Sequence, residues 1–375
     1  MRHALMMLMI AGGWVSAGSD DLTVGDRAPD LKIEHWLKGK EVSVFVPGRV
    51  YVVEFWATWC APCVASMEHL SNLQMRYTSR GVTIIGVTDE PLQKVVAFLV
   101  SPSKSGAGLQ HDRTRFALAS DPDRSTHDAY LEAAGVEAIP IAFVVGKRGL
   151  VEWVGHPKNL DAVLEAVVED RWDRAAARIK YLARQKSTRE FREATEKLSA
   201  AIDAHSWDEA LTLLDQIITG GHETYIPTKF GLLLSLAKRR DAAYEYGVEV
   251  MAQAWEDDPW LLYQLAWIVT GHDKFPVREG DRDLEFALKA AERAVKLTNE
   301  TDCSMLSMLA NVHAARTEWN DAVRRQASAV RLLEEIQTKV SDDELADYEA
   351  ELASMRTKLE VYRSRAERAP SGGAP

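Results

Sequence analysis

One stretch constrains this chain more than any other: Trp56-Ala57-Thr58-Trp59-Cys60-Ala61-Pro62-Cys63, which follows the apolar run Val50 to Trp56. Beyond Cys63, Met67, Leu70, Leu73 and Tyr77 recur at three- and four-residue steps, one apolar stripe on a helix that Cys60 opens and Gly81 stops. A thiol at a helix N-terminus faces unpaired backbone N–H groups and the positive end of the dipole, and both favour thiolate. Cys60 is thus set up to attack, and Cys63, one turn further in, to displace a partner from the mixed disulfide. Pro62 belongs at the first turn, where its missing N–H costs little. Only 3 cysteines occur, the third being Cys303, so the chain is no disulfide-stapled scaffold. The residues alone leave two other uses of the pair open, a zinc site and a purely structural disulfide. The nearest further zinc ligand, His69, is followed by no second ligand pair, so no metal is expected.

Around this segment, strand-length apolar runs alternate with helix-length stretches from Gly25 to Val168, the pattern of an α/β domain. The strand candidates are Val50 to Trp56, Val82 to Val87, Phe116 to Ala119, Ile141 to Val145 and Val151 to Val154, with Asn159 to Val168 as closing helix. Within the first run Glu54 stands alone among apolar residues. A buried carboxylate there has a raised pKa, which suits a group that takes the proton from Cys63; the competing reading puts Glu54 at an edge, in water.

The character changes near Glu169. Basic residues spread evenly from Arg171 to Arg192 read as a solvated connecting helix, 169–198, with a basic binding arm as the alternative. Beyond Ser199 the chain is all-helical and repeats: a shift of 35 overlays Leu284 on Trp319, Ala287 on Ala322, Ala294 on Ala329 and Leu297 on Leu332. Trp207-Asp208-Glu209-Ala210 echoes Trp319-Asn320-Asp321-Ala322. At about 34 residues per helix pair the stretch holds roughly four units. It resembles a tetratricopeptide array over 199–340, an α-solenoid with an insertion at Gly271 to Arg282, then a capping helix and disordered tail over 341–375. Trp255, Trp260 and Trp267 read as core or as an aromatic binding surface, and Cys303 as a buried small apolar residue.

Taken together, the residues 18–168 resemble the thioredoxin superfamily. Val53 to Cys63 is similar to its active-site segment, and Gly135-Val136-Glu137-Ala138-Ile139-Pro140 to the loop that sets a cis-proline against the dithiol. Val24 to Asp30, Ala119 to Asp123 and Trp153-Val154-Gly155-His156-Pro157 narrow the resemblance to the TlpA/ResA-like thiol-disulfide oxidoreductases. The resemblance implies a thioredoxin-like fold, a mixed sheet flanked by helices, with a redox-active Cys60–Cys63 disulfide and no cofactor. It implies that Pro140 is cis, that the backbone at Ile139 pairs with an extended peptide, and that Trp59, Ala61, Pro62, Ile139 and Pro140 form the substrate surface. Glu54 takes the place of the buried Asp of thioredoxins. Two positions depart from the pattern: Ser66 replaces the usual acid three residues after Cys63, and Ile141 replaces the Thr after the cis-proline.

Charge and the N-terminus set the context. Lys plus Arg is 45 and Asp plus Glu 56, a net −11 that disfavours nucleic acid as a partner. Arg2, the apolar stretch Ala4 to Val15 and Val15-Ser16-Ala17 read as a signal peptide over 1–17, an uncleaved anchor being the alternative. A dozen apolar residues fall short of the roughly 20 that span a bilayer, and no later segment approaches that length. The expected location is therefore secreted or periplasmic, with no membrane span after cleavage.

Three functions follow as expectations. The leading one is an oxidoreductase reducing protein disulfides through Cys60 and Cys63, recharged by an upstream thiol partner, its repeats recruiting a protein. An interaction scaffold with a redox-gated domain is the alternative. A thiol peroxidase fits poorly, since the Thr expected three residues before the reactive cysteine is Ala57.

Overall fold

The computed structural model describes residues 22–103, 108–252, 257–339 and 342–369. The stretch 1–17 read as a signal peptide, Trp255 and the residues 370–375 read as a tail lie outside these residues. The chain divides into two compact units, at Thr188 and Arg189.

The first unit is built on six strands: β1 (His35–Lys38), β2 (Val50–Phe55), β3 (Val82–Thr88), β4 (Ala117–Ser120), β5 (Ile141–Val145) and β6 (Val151–Gly155). Their order is β1-β4-β3-β2-β5-β6. β2 pairs parallel with β3, and β3 with β4, while β1, β5 and β6 add antiparallel pairs. Sequence pattern misses β1 because His35-Trp36-Leu37-Lys38 is half-exposed at an edge and has no continuous apolar run.

The central strand β2 is buried along its whole length, so its side chains divide between two cores. Val50 and Val52 face α1 (Ala61–Tyr77), where Met67, Leu70 and Leu73 meet them. Tyr51, Val53 and Phe55 pack on the other side with Tyr130, Leu131 and Phe143. Next in the chain come α2 (Leu92–Leu99) and α3 (Leu160–Val168), which cover the α1 face through Val95, Leu99, Leu160 and Leu164. Gly86 of β3 lies opposite Glu54. A Cβ there would stand 3.0 Å from Leu118 and Phe116 and 3.2 Å from the Trp56 indole nitrogen. The missing side chain leaves the room that the Trp56, Phe116 and Leu118 side chains take up.

The motif Val24 to Asp30 earns its residues at the β6 edge. Gly25, at φ 101°, donates its N–H to Val151 O at 2.7 Å, and Val151 donates back to Asp26 O at 2.9 Å. Asp26 Oδ2 accepts from Thr23 N at 2.9 Å and so closes the turn.

The division between units falls within α4 (Arg174–Asp203), inside the stretch read above as a solvated linker over 169–198. The helix is largely exposed, and three of its arginines and a glutamine tie its first half to the first unit. Arg174 forks onto Glu152, whose residue is only 5% exposed, with Nε to Oε2 at 2.6 Å. Arg178 donates to Val24 O at 2.6 Å, Arg184 to Val154 O at 3.1 Å, and Gln185 to Ala134 O at 2.7 Å. Arg174→Ala strands the Glu152 carboxylate without its partner, and a urea titration is expected to show a loss of about 3 kcal/mol.

The second unit is a set of packed helices: α5 (Trp207–Thr219), α6 (Ile226–Gly231), α7 (Arg240–Ala252), α8 (Pro259–Gly271), α9 (Leu284–Leu297), α10 (Cys303–Ala315), α11 (Trp319–Gln337) and α12 (Asp342–Arg368). Asp258, Asp283 and Asp302 each accept two backbone N–H groups at the start of α8, α9 and α10, the capping that these orphan donors need. The overlaid pairs Ala287/Ala322 and Ala294/Ala329 are buried, at 0–1% exposure, so these helices approach closely where the residues are small. Phe275, from the stretch read as an insertion, lies against Gly231 in a space a Cβ would fill. No helix among the described residues is long and apolar enough to cross a membrane.

Candidate active site

Cys60 and Cys63 form a disulfide. Cys60 is the N-cap of α1 and Pro62 occupies the first turn. The Cys63 N–H donates to Cys60 Sγ at 3.3 Å, so the backbone already points a donor at the sulfur that carries charge when reduced. The turn that delivers it is short: Cys60 N donates to Ala57 O at 3.1 Å, and Val64 N to Cys60 O at 3.0 Å. Both cysteines are buried, whereas Trp59 is 69% exposed and Ala61 and Pro62 are exposed as well.

The Ile139–Pro140 peptide bond is cis. It brings the Ile139 carbonyl oxygen within 3.9 Å of Cys60 Sγ. Ile139 is half-buried between the two cores, and Pro140 is buried at the head of β5. Trp59, Ala61, Pro62 and the Ile139–Pro140 loop thus flank one sulfur, that of Cys60.

Glu54 lies on the central strand, 1% exposed, and not at an edge in water. It points to the same face as Val52 and Trp56, into the core that also holds Cys60 and Cys63. Its Oε1 has no hydrogen-bond partner. Burial pushes its carboxyl up to about 8, close to the ordinary range of a thiol.

Ser66, where the resemblance leads one to expect an acid, turns its hydroxyl back to donate to Pro62 O at 2.9 Å. Glu68 points away and pairs with Arg113 at 3.2 Å. Ile141 is buried in β5 and presents no hydroxyl to a substrate. His156 Nδ1 accepts from Lys158 N at 3.2 Å, and burial lowers its pKa. Cys303 is 1% exposed, and burial pushes its thiol up to about 11, so it is inert. In the second unit, His313, Glu318 and Asp321 converge, but Arg316 Nε donates to Glu318 at 2.8 Å and already supplies the cation there.

One residue of the site escapes sequence reasoning. Glu90, just past β3, grips the loop before Cys60: its carboxylate accepts the Thr58 N–H at 2.6 Å and the Thr58 hydroxyl at 2.9 Å. A pair of acids, Asp89 and Glu90, past the C-terminal end of a buried strand is the signal the sequence offers, and nothing in it connects positions 32 residues apart.

Comparison with known proteins places this arrangement among its relatives. The profile of the AhpC/TSA family matches residues 24–154. Protein FixW of Rhizobium leguminosarum is 25% identical over 204 residues, 53% of this chain and 91% of FixW. The thiol-disulfide oxidoreductase ResA of Bacillus subtilis (strain 168) is 28% identical over 155 residues, 39% of this chain and 78% of ResA. A solved thiol:disulfide interchange protein of the thioredoxin family from Chlorobium tepidum TLS is 24% identical, covering 38% of this chain and 97% of its own with a TM-score of 0.31. Residues 24–154 are thus a thioredoxin-like AhpC/TSA domain related to the ResA thiol-disulfide oxidoreductases, and they carry the Cys60–Cys63 disulfide.

Proposed function

We propose that this protein reduces disulfides of protein substrates outside the cytoplasm, with the helical second unit recruiting a protein partner. The observation that carries the reading is the pairing of a helix-capping Cys60 with a buried Glu54 in one core. The Cys60 thiolate attacks one sulfur of the substrate disulfide, forms the mixed disulfide and expels the other sulfur as thiolate. Cys63 then gives its proton to Glu54 and attacks Cys60 Sγ, which releases the second substrate thiolate and leaves the Cys60–Cys63 disulfide. Trp59, Ala61, Pro62 and the Ile139–Pro140 loop meet the substrate, and an upstream thiol donor restores the dithiol.

The second unit fits a tetratricopeptide-like array in its repeat spacing and in its buried alanines. The sequence after Thr188 carries 34 acidic and 23 basic residues, the whole net charge of −11, while the part up to Thr188 is balanced at 22 of each. A basic partner surface is the complement. Export follows from reading 1–17 as a signal peptide, and the N-terminal residue of protein secreted from bacterial cells checks it.

The direct test is the equilibrium potential of the Cys60/Cys63 couple against a thiol redox buffer, with Cys60→Ser as control. A two-electron couple at about −250 mV or lower is expected; a value near about −120 mV would make the protein a disulfide donor and overturn the direction.

A further inference from the structure

We infer that Glu90 is a positioning residue for the dithiol, holding the loop Ala57–Cys60 so that Cys60 stays at the cap of α1. This rests on the Cys60/Cys63 couple being the working part of the protein.

The main chain of Glu90 is anchored before its side chain does anything. Its carbonyl accepts from the Ser120 hydroxyl at 2.7 Å, and its N–H donates to the Thr88 hydroxyl at 3.3 Å. Asp121 N donates to Thr88 O at 2.7 Å, so β4 fixes the same turn from the other side. From this base the carboxylate reaches across to the end of β2 with both oxygens. Oε2 takes the Thr58 N–H and Oε1 the Thr58 hydroxyl, while Lys94 Nζ stands 2.7 Å from Oε1. The residue is 5% exposed, so this grip is shielded from water, and Lys94 compensates the charge.

The consequence passes along two peptide units. Thr58 precedes the exposed Trp59 and the capping Cys60, and the Cys60 N–H closes on Ala57 O just before the clamped residue. With Thr58 fixed, the turn delivers Cys60 Sγ to the Cys63 N–H on one side and toward the Ile139 carbonyl on the other. With Thr58 released, Cys60 can leave the cap, and the thiolate loses the N–H that stabilises it. Ser66 sharpens the point, because the hydroxyl there turns away from the sulfur to Pro62 O. Among the described acids, Glu90 is the one whose carboxylate bonds to Thr58 of this loop.

The experiment uses the full chain with Glu90→Ala, Glu90→Gln and Thr58→Val. Two quantities are read: the rate at which the reduced protein attacks 5,5′-dithiobis(2-nitrobenzoic acid), a small probe that needs no docking, and the exchange equilibrium with glutathione. Glu90→Ala is expected to slow the attack of order 10- to 100-fold, the penalty of a misplaced nucleophile. Glu90→Gln still offers an oxygen to the Thr58 N–H and recovers most of the rate. Both variants lack the charge, so their difference isolates the grip: Glu90→Ala lies about tenfold further toward the disulfide, about 30 mV for a two-electron couple. Thr58→Val keeps the N–H bond and falls between Glu90→Gln and Glu90→Ala, which keeps the test open should Glu90→Ala fail to fold. If Glu90→Ala, or Thr58→Val in its place, lowers the unfolding midpoint yet matches Glu90→Gln in rate and equilibrium, Glu90 only stabilises the fold and the inference falls alone. If the unaltered protein shows no reversible couple, the oxidoreductase reading falls and takes this one with it.

Discussion

Replacing Cys60 with serine abolishes turnover of a protein disulfide such as that of insulin, by at least about a thousandfold, while the fold persists. The reason lies in which sulfur the site serves. The Cys63 N–H and the Ile139 carbonyl both meet Cys60 Sγ beside the exposed neighbour Trp59, and a serine hydroxyl there cannot exchange with a disulfide. Cys63→Ser has a different signature: Cys60 still attacks, but the mixed disulfide has no resolving thiol and accumulates as a covalent adduct that dithiothreitol releases. Non-reducing electrophoresis of the two variants with substrate checks both expectations. An adduct formed through Cys63 in the Cys60→Ser protein would assign the attack to the wrong sulfur.

The second large effect belongs to Glu54 and appears in both stability and rate. Its carboxyl has an ordinary value of 4.5 and is raised to about 8 by burial. The folded protein therefore holds a proton that the unfolded chain gives up near pH 4.5. The stability this confers is fully present below that pH, declines as pH rises, and is gone once pH has passed about 8. Over the interval the loss is about 4–5 kcal/mol at 1.36 kcal/mol per unit. Urea titrations from pH 5 to pH 9 are expected to show this slope in the unaltered protein and a nearly flat profile in Glu54→Gln. The rate follows the same group. Glu54, raised by burial to about 8 in the core that also holds Cys63, is a base strong enough to take a proton from a thiol. Resolution of the mixed disulfide is expected to slow about 100-fold in Glu54→Gln, the usual contribution of a general base. An unaltered resolving rate in that variant would remove Glu54 from the mechanism.

The parts of the fold legible in the sequence share one cause. Val50 to Phe55, Val82 to Thr88 and Ile141 to Val145 are strands buried on both faces, and continuous burial leaves a continuous apolar run. β1 is half-exposed and short, and α2 follows Pro91 with Val96 and Val100 facing water, so neither writes such a run. The active-site cysteines are legible because the helix start and its proline are local. Glu54 stands out because a charge inside an apolar run is rare. Glu90 is illegible because its work is done on Thr58, a contact made only when β2 and β3 lie side by side. The anchoring by Arg174 is illegible for the same reason: Glu152, the acid that it answers, is buried in a strand elsewhere in the sequence.

The turn at Val24 to Ala28 bears on a hazard of the trade. An open sheet edge invites extended chains to add as strands. Here one margin of the sheet is β1, four residues long, irregular in register between Trp36 and Lys38 and ending in a lysine. At the other margin, the start of β6 is paired: Val151 exchanges both its backbone hydrogen bonds with Gly25 and Asp26, and Arg27 bridges to Leu150. One border is thus short and irregular and the other is covered where it begins, which leaves less free edge for a further strand to add.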